Sequence, residues 1–381
     1  MDTEYQIIHC STCGSTFGYS GNNTKCLWCG ATYSPTPGDM PKNIPQGELY
    51  LPPSLKIADF EQQIKSFVIA KINTPDDIFD ALTQGDTQLV MLPVYKFNLT
   101  WQATWNAIAA YSRQKPVYNQ QEQRFEEKKE LEWQPIHGEA SGTQIYFAPG
   151  ADVIAHMNLI ALVQRAAENV DSAQLIKFIP EAANATSFML YDIPEKDCFN
   201  RFSYNQLQNE IEADCLRNLP DKKYRDFQFS ATHKYQTTRM MVPFFWRSFY
   251  WRNQHYFVIM DAVTGLMDGD LPTQGSRQIK MIALAFVPLS GLVAGAILHS
   301  NDAVENKYLF WAGLLPLFLT VFAPFWYQHN LHKRRKKMAA QTSSERLDFL
   351  NTLKHWERNT FYTLLSLDLV TALAYIIYSI I

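Results

Sequence analysis

The chain has 381 residues, a net charge of −3, 47% hydrophobic residues and 19% charged ones. That balance is globular. It excludes a disordered chain, a collagen and a disulfide-stapled miniprotein, and the small net charge excludes a protein that binds polyanions through its bulk charge. Aromatic residues reach 14% and favour β-rich or membrane-embedded structure, while a mean hydropathy of −0.21 leaves room for only a few membrane spans in a soluble bulk. At roughly 150 residues per unit the length predicts two or three domains.

The first predicted unit, residues 1–39, is a zinc ribbon. Cys10, Cys13, Cys26 and Cys29 read C-x2-C-x12-C-x2-C. Each pair is a short knuckle, and two knuckles supply the four soft ligands of tetrahedral zinc. Gly14 and Gly30 follow the second Cys of each pair, where the chain must turn at positive φ. Phe17, Tyr19 and Trp28 either cap the metal or contact a partner. One structural Zn2+ is the expected cofactor; rubredoxin-type iron uses the same ligands, and a disulfide pair is the other alternative. A closed four-thiolate site has no open position for substrate. Thiolate ligands need a reducing compartment, and the first twenty residues hold no apolar run, so the N-terminus is expected in the cytosol. Cys198 and Cys215 read as buried small hydrophobes.

Residues 40–46 form a linker, and residues 47–275 an α+β soluble domain. Phe60, Ile64, Phe67, Val68 and Lys71 have helical spacing, as do Tyr204, Leu207, Ile211 and Cys215. Each helix is followed by a hydrophobic-Pro-aromatic string, MLPVYKF from Met91 and MVPFFWR from Met241, with the proline placed at a strand start. The 150-residue offset suggests an internal duplication, with repeats at 55–150 and 200–275; coincidence is the alternative, since the strings are short. Further strands are predicted at 132–137, 143–147 and 254–260. The hydrophilic stretch 119–130 reads as a long exposed connection. The class is α+β: an N-terminal zinc ribbon, an aromatic-rich antiparallel-sheet domain and C-terminal transmembrane helices.

Residues 276–328 predict a transmembrane hairpin. Its apolar runs, 280–299 and 307–328, each match a bilayer core in length, and a short polar link carries Asp302 and Glu305. Pro288, Pro316 and Pro324 are tolerated in such helices, and Gly291 and Gly295 permit close contact. A buried soluble helix pair is the alternative. Residues 329–360 begin with a basic run, Lys333, Arg334, Arg335, Lys336 and Lys337, expected at the membrane surface; Arg277 and Lys280 flank the first run. Both ends of the hairpin are therefore expected in the cytoplasm. Trp326 and Tyr327 mark the inner aromatic belt, Tyr308 and Trp311 the outer. Residues 345–358 are amphipathic and suit a helix lying on the inner leaflet or a solvated linker. Residues 361–381 form a third span or a re-entrant helix, interrupted by Asp368, an intramembrane polar contact.

These motifs in this order resemble a bacterial family of zinc-ribbon membrane proteins, often labelled TFIIB-type zinc ribbon or primosomal protein N′, superfamily II helicase-like. The residues that carry the resemblance are the four cysteines, Leu92-Pro93-Val94-Tyr95 with Trp101, and Trp133 through Gly138. Val242-Pro243 with Trp246 and Tyr250, Tyr256-Phe257-Val258, and Thr264-Gly265 with Gly269 through Pro272 complete it. It covers residues 1 to about 300 and leaves the basic run and the third apolar segment outside the family pattern. The resemblance implies a membrane-anchored protein of the bacterial inner membrane, with phage-shock protein A-like or SPFH-type membrane proteins as partners in envelope stress or membrane organisation.

The expected function is a cytosol-facing adaptor that binds a protein partner and is held on the lipid bilayer. No catalytic constellation is visible: the chain has no phosphate-cradling G-x-x-x-x-G-K-[ST], no H-E-x-x-H and no G-x-S-x-G. A membrane enzyme built on Cys198 or Cys215 with a distant histidine, or a small-ligand sensor, is the alternative. Nucleic-acid binding through the ribbon is disfavoured, because Lys25 is the only basic side chain between Cys10 and Cys29.

Overall fold

The computed structural model describes residues 6–19, 26, 28–31, 47–71, 73–119, 124–170, 174–179, 187–219, 223–275, 277, 279–280, 282–284, 286, 307–340 and 343–380. The chain divides into two compact units. Unit 1 comprises Met1–Ser54, Gln88–Phe244 and Asp261–Leu266; unit 2 comprises Leu55–Thr87, Phe245–Met260 and Met267–Ile381. The class is mixed α+β with a large sheet.

Unit 1 is organised by β4 (Thr87–Asn119). Its partner β5 (Arg124–Pro149) runs antiparallel in unbroken register from Val94↔Pro149 to Asn119↔Arg124. The sheet also holds β1 (Gln6–His9), β2 (Thr16–Tyr19), β3 (Leu49–Tyr50), β6 (Ile176–Lys177), β7 (Ser187–Met189) and β8 (Tyr224–Trp251), in the order β1-β2-β7-β4-β8-β3-β6, so that β7 and β8 are the other neighbours of β4. Four helices, α3 (Asp152–His156), α4 (Ile160–Glu168), α5 (Glu195–Phe202) and α6 (Tyr204–Arg217), contact β5. In α6 the predicted stripe Leu207, Ile211 and Cys215 is buried. An aromatic core forms where Phe199 of α5 meets Phe97 and Tyr235 at ring separations of 5.3 and 4.6 Å.

Both prolines of the repeated strings sit inside long strands, not at strand starts. Pro93 falls where β4 changes neighbours: Val90 and Met91 pair with β7, and the β5 ladder begins at Val94. A residue without an N–H is tolerated at that switch. Its carbonyl accepts from Gly150 N, just past the end of β5 (2.8 Å). The Pro243 carbonyl accepts in the same way from Ala262 N (3.0 Å), just past β9 (Gln254–Asp261), the return strand of β8.

Most of the stretch expected to be a connection is strand. Residues 124–130 pair with 113–119, and cross-strand ion pairs Arg113–Glu132 (3.2 Å) and Lys115–Glu130 (2.9 Å) hold them. β8 starts level with Ala110, whose N–H reaches the Lys223 carbonyl (3.0 Å). Beyond that point the described residues form a two-stranded arm.

Where β4 is covered it alternates strictly: Leu99, Trp101, Ala103 and Trp105 are buried, Thr100, Gln102 and Thr104 exposed. The Trp101 and Trp105 rings lie across the facing strand on Gly142 and Gly138, where an added Cβ would meet ring atoms at 2.8 and 2.4 Å. Glycine is required here by the ring above it, not by backbone conformation.

Unit 2 contains α1 (Ile57–Ala70), α2 (Ile78–Gln84), the hairpin made by the end of β8 with β9, β10 (Met267–Asp270), and two long helices, α7 (Lys307–Ala339) and α8 (Ser343–Ile380). The helical spacing expected from Phe60 is present, with Phe60, Ile64, Val68 and Ile69 buried. Arg247 joins α1 and α2: it donates to the Leu82 carbonyl (3.3 Å) and pairs with Glu61. The amphipathic segment at 345–358 and the third apolar segment are one continuous helix, α8. Its buried Leu350 and Leu353 and its half-buried Trp356 lie on the side that meets α7, where Tyr327 stacks on Trp356 at 6.3 Å. A partner helix thus takes the stripe that was expected to meet a leaflet.

Unit 2 also buries a cluster of charges. Arg277 (1% exposed) pairs with Asp76 and with Glu357 (3.1 Å) and donates to the Thr74 carbonyl (2.9 Å). Arg335 is fully buried. Its Nε lies 2.9 Å from Asp76, while Nη1 donates to the carbonyls of Ile69 and Lys71 and Nη2 to that of Val68. Those are last-turn carbonyls of α1 and its cap, which no basic residue of α1 serves. Lys280 Nζ (2.9 Å) and the Tyr327 hydroxyl (2.9 Å) complete the shell of Glu357. Burial alone would raise the Glu357 pKa; the Arg277 charge and hydrogen bonds, with Lys280, outweigh it and hold the carboxyl below its ordinary value.

Among the described residues, no helix is long and apolar enough to cross a membrane. Residues 287–306, which hold most of the first apolar run, lie outside the described residues, as do the side chains of 307–321 and of Asp368.

Two outcomes follow in denaturant titrations of the purified chain. Gly142→Ala and Gly138→Ala each lower stability by about 1–3 kcal/mol through overpacking, while Ser141→Ala on the exposed face changes it by less than about 0.5 kcal/mol. Arg335→Gln lowers it by about 3–5 kcal/mol, because a buried ion pair is broken, the α1 carbonyls lose their donor and Asp76 keeps only Arg277. Lys336→Gln, at an exposed position of the same run, is near neutral.

Candidate metal centre

The two knuckles are built alike. Gly14 N donates to the Cys10 carbonyl and Gly30 N to that of Cys26, both at 2.8 Å. Cys10 N then reaches Ser15 O (2.9 Å) and Cys26 N reaches Ala31 O (2.8 Å). Gly14 and Gly30 have φ of 75° and 73°, the positive values expected from the sequence. Each loop therefore folds back tightly enough to aim two sulfurs inward.

The four sulfurs converge within 4.8 Å of one another. Cys10 and Cys29 are 3.6 Å apart, Cys13 and Cys26 3.8 Å. A tetrahedral ion with metal–sulfur bonds of about 2.3 Å needs edges of about 3.8 Å. The donor set thus fits one four-coordinate ion, and all six cysteines are free of disulfides. Cys26 and the Ser15 hydroxyl hold the Cys13 thiol down to about 4, against the effect of burial. Its shared hydrogen bond with Cys13, and burial, push the Cys26 thiol up; burial raises Cys29 to about 11. So many thiolates at this spacing repel one another, and a bound cation removes that conflict.

The centre sits on the edge of the unit 1 sheet. Strand β1 pairs with β2, and β2 pairs with β7 through Phe17↔Met189, Gly18↔Phe188 and Tyr19↔Ser187. Gly18 is obligatory: an added Cβ would lie 2.3 Å from the Phe188 ring. The Ser187 hydroxyl donates to the Gly18 carbonyl (2.9 Å). Phe17 and Trp28, candidates for an exposed contact, are buried at 0% and 1% and meet edge to face at 6.5 Å. The Tyr19 side chain lies outside the described residues.

The other predicted site residues do not join this centre. Lys333, Lys336 and Lys337 are exposed on α7, and Arg334 lies over Trp356 at 4.1 Å. Arg335, Arg277 and Tyr327 are drawn into the buried cluster of unit 2, so these three present nothing to a membrane surface. Trp326 remains 38% exposed. Burial pushes the Cys198 thiol up to about 12 and raises that of Cys215, the direction opposite to that of an activated nucleophile. Sequence reasoning missed Ser15 beside the thiols, for lack of any motif, and missed Asp76 and Glu357, whose partners are far along the chain. Compared with family models, curated proteins and solved structures, the chain matches none.

Removing a ligand should loosen the sheet edge. Cys13→Ser and Cys26→Ser are expected to lower bound metal from one ion per chain to none, and to raise amide exchange at 16–18 and 187–190 while the β4–β5 ladder stays protected. Metal analysis with hydrogen exchange checks both.

Proposed function

We propose that the protein is a membrane-anchored adaptor whose four-cysteine centre holds zinc in a structural role. Four thiolates at tetrahedral spacing suit zinc best among common cellular metals, and a centre whose ligands also build a sheet edge acts on folding, not on substrate.

The observation that carries the anchor is where unit 2 leaves its apolar side chains. Ile279, Ile282 and Phe286, at the start of the first apolar run, are 68%, 64% and 65% exposed. Phe325 of α7 and Leu369 and Val370 of α8 are also exposed. Beyond Phe361, α8 has apolar residues on all sides, which water does not favour and lipid does. The charged cluster and exposed Lys333, Lys336 and Lys337 lie at the polar ends of these same segments, as the cytoplasmic face of an inner-membrane protein requires. The resemblance to zinc-ribbon membrane proteins points the same way.

Phe17 and Trp28 are buried, so partner contact is assigned to the two-stranded arm. It carries exposed Val117 and Leu131 on a hairpin with no covering layer among the described residues. A protein partner reached by this arm is the adaptor's target.

Topology reporters and an arm deletion test the two halves of this reading. A reporter at residue 303 should be external and one at 340 cytoplasmic; the reverse pattern, or both cytoplasmic, overturns the anchor. Replacing residues 112–131 with an Asn-Gly turn should leave the chain folded and metal-loaded but abolish recovery of its partner by affinity purification. Recovery of the same partner by both forms overturns the arm's role.

A further inference from the structure

Unit 2 contains a small cavity of about 150 Å³ on the solvent side of the buried charges. Arg277, Asp76 and Glu357 form its buried wall; Arg252, Lys354 and Thr273 form its exposed rim, with Gln274 between. The volume is below the range that drug-sized ligands need and suits one compact group.

The lining itself balances, Arg252, Arg277 and Lys354 against Asp76, Asp77 and Glu357, and two further cations, Lys280 and Arg335, stand behind its buried wall. Lys280, Arg277 and Arg335 face two carboxylates, Asp76 and Glu357. The C-terminal carbonyls of α1, bonded to Arg335, offset roughly half a charge of the surplus. At the rim Arg252 is matched by Asp77 at 3.2 Å, while Lys354 forms no ion pair among the described residues. What opens on the cavity is Lys354, with the extra cations behind the wall adding positive potential, a setting that favours an anion.

The rim is also strained. Arg252 and Asn253 join β8 to β9 in a two-residue turn with φ of 50° and 62°. Two positive values mark a type I′ turn, whose first position favours Asn, Asp or Gly. A long side chain in the left-handed region is disfavoured and persists where its placement has a use. Here the strain is held by Trp251, whose ring lies 4.1 Å from the Arg252 guanidinium and whose Nε1 donates to Asp77 (3.1 Å).

We propose that this cavity is a phosphate seat. The anion of a phosphomonoester or phosphodiester binds between Arg252 and Lys354, with the Thr273 hydroxyl and the Gln274 amide as further donors. Its place beside Arg277 and Glu357, which adjoin the first and third apolar segments, makes a lipid headgroup one source and free inorganic phosphate the other. Only the lipid source rests on the membrane reading above.

The test is thermal unfolding of the full chain in a neutral detergent. Inorganic phosphate is titrated against chloride at equal ionic strength, and phosphatidylglycerol is titrated separately into the micelles. Wild type should rise in Tm with one of these ligands: phosphate identifies the free anion, phosphatidylglycerol alone the headgroup. Lys354→Gln, at an exposed site, should keep the unliganded Tm and weaken the response about tenfold, as loss of one charge-assisted hydrogen bond does. Arg252→Gly should raise the unliganded Tm by relieving the turn and still lose the response. No shift in wild type with either ligand, or equal shifts in wild type and both variants, overturns the seat. Topology reporters that place the chain off the membrane remove the headgroup source but leave a phosphate response intact, so the two readings fail separately.

Discussion

Two arginines without solvent set the terms for unit 2. A guanidinium loses most of its hydration when buried, and only well-placed carboxylates and carbonyls make good that loss. Asp76 serves both Arg277 and Arg335, so one aspartate in the short link between α1 and α2 fixes where α7 and the segment before the first apolar run lie against it. Glu357 does the same for α8, through Arg277, Lys280 and Tyr327. Five elements far apart in sequence are thereby held by a group of side chains that cannot be partly assembled without leaving a charge stranded. The Arg335 bonds to the end of α1 join helix capping to ion pairing in the same side chain.

Unit 1 follows a different rule, the completion of backbone hydrogen bonds along one long strand. β4 changes neighbours from β7 to β5 at a proline, and β8 repeats the device with Pro243. The metal centre enters the same sheet through β2, so its ligands do more than close a small knuckle. They define an edge on which Gly18 and Phe188 interlock.

Local chemistry was legible in the sequence and distant pairing was not. The cysteine spacing and the two glycines after it state the metal centre directly, since each knuckle is determined by five neighbouring residues. The helices α1 and α6 follow from apolar spacing for the same reason. The polar stretch at 119–130 reads as a connection because strand patterns are recognised by alternating apolar residues, and this stretch is mostly polar. The basic run reads in sequence as one uniform patch, yet three of its lysines are exposed while Arg335 is buried, with partners more than 250 residues away. Composition cannot distinguish a cation that faces lipid from one that caps a helix. Pro93 was placed at a strand start because a missing N–H argues for an end, and the end it marks is that of one ladder within a longer strand.

The arm's ion pairs carry a consequence for how this protein can vary. With no covering layer among the described residues, the arm gives the hydrophobic effect little say in its register, so Arg113–Glu132 and Lys115–Glu130 act as the teeth that keep the two strands in step. Adding or removing residues in equal numbers on both strands, two at a time, preserves which face each tooth occupies and never touches the covered part of β4. An odd change on one strand alone would throw every tooth out of mesh. Descendants of this chain are therefore free to lengthen or shorten their reach in whole pleats, a ruler whose unit is about 7 Å.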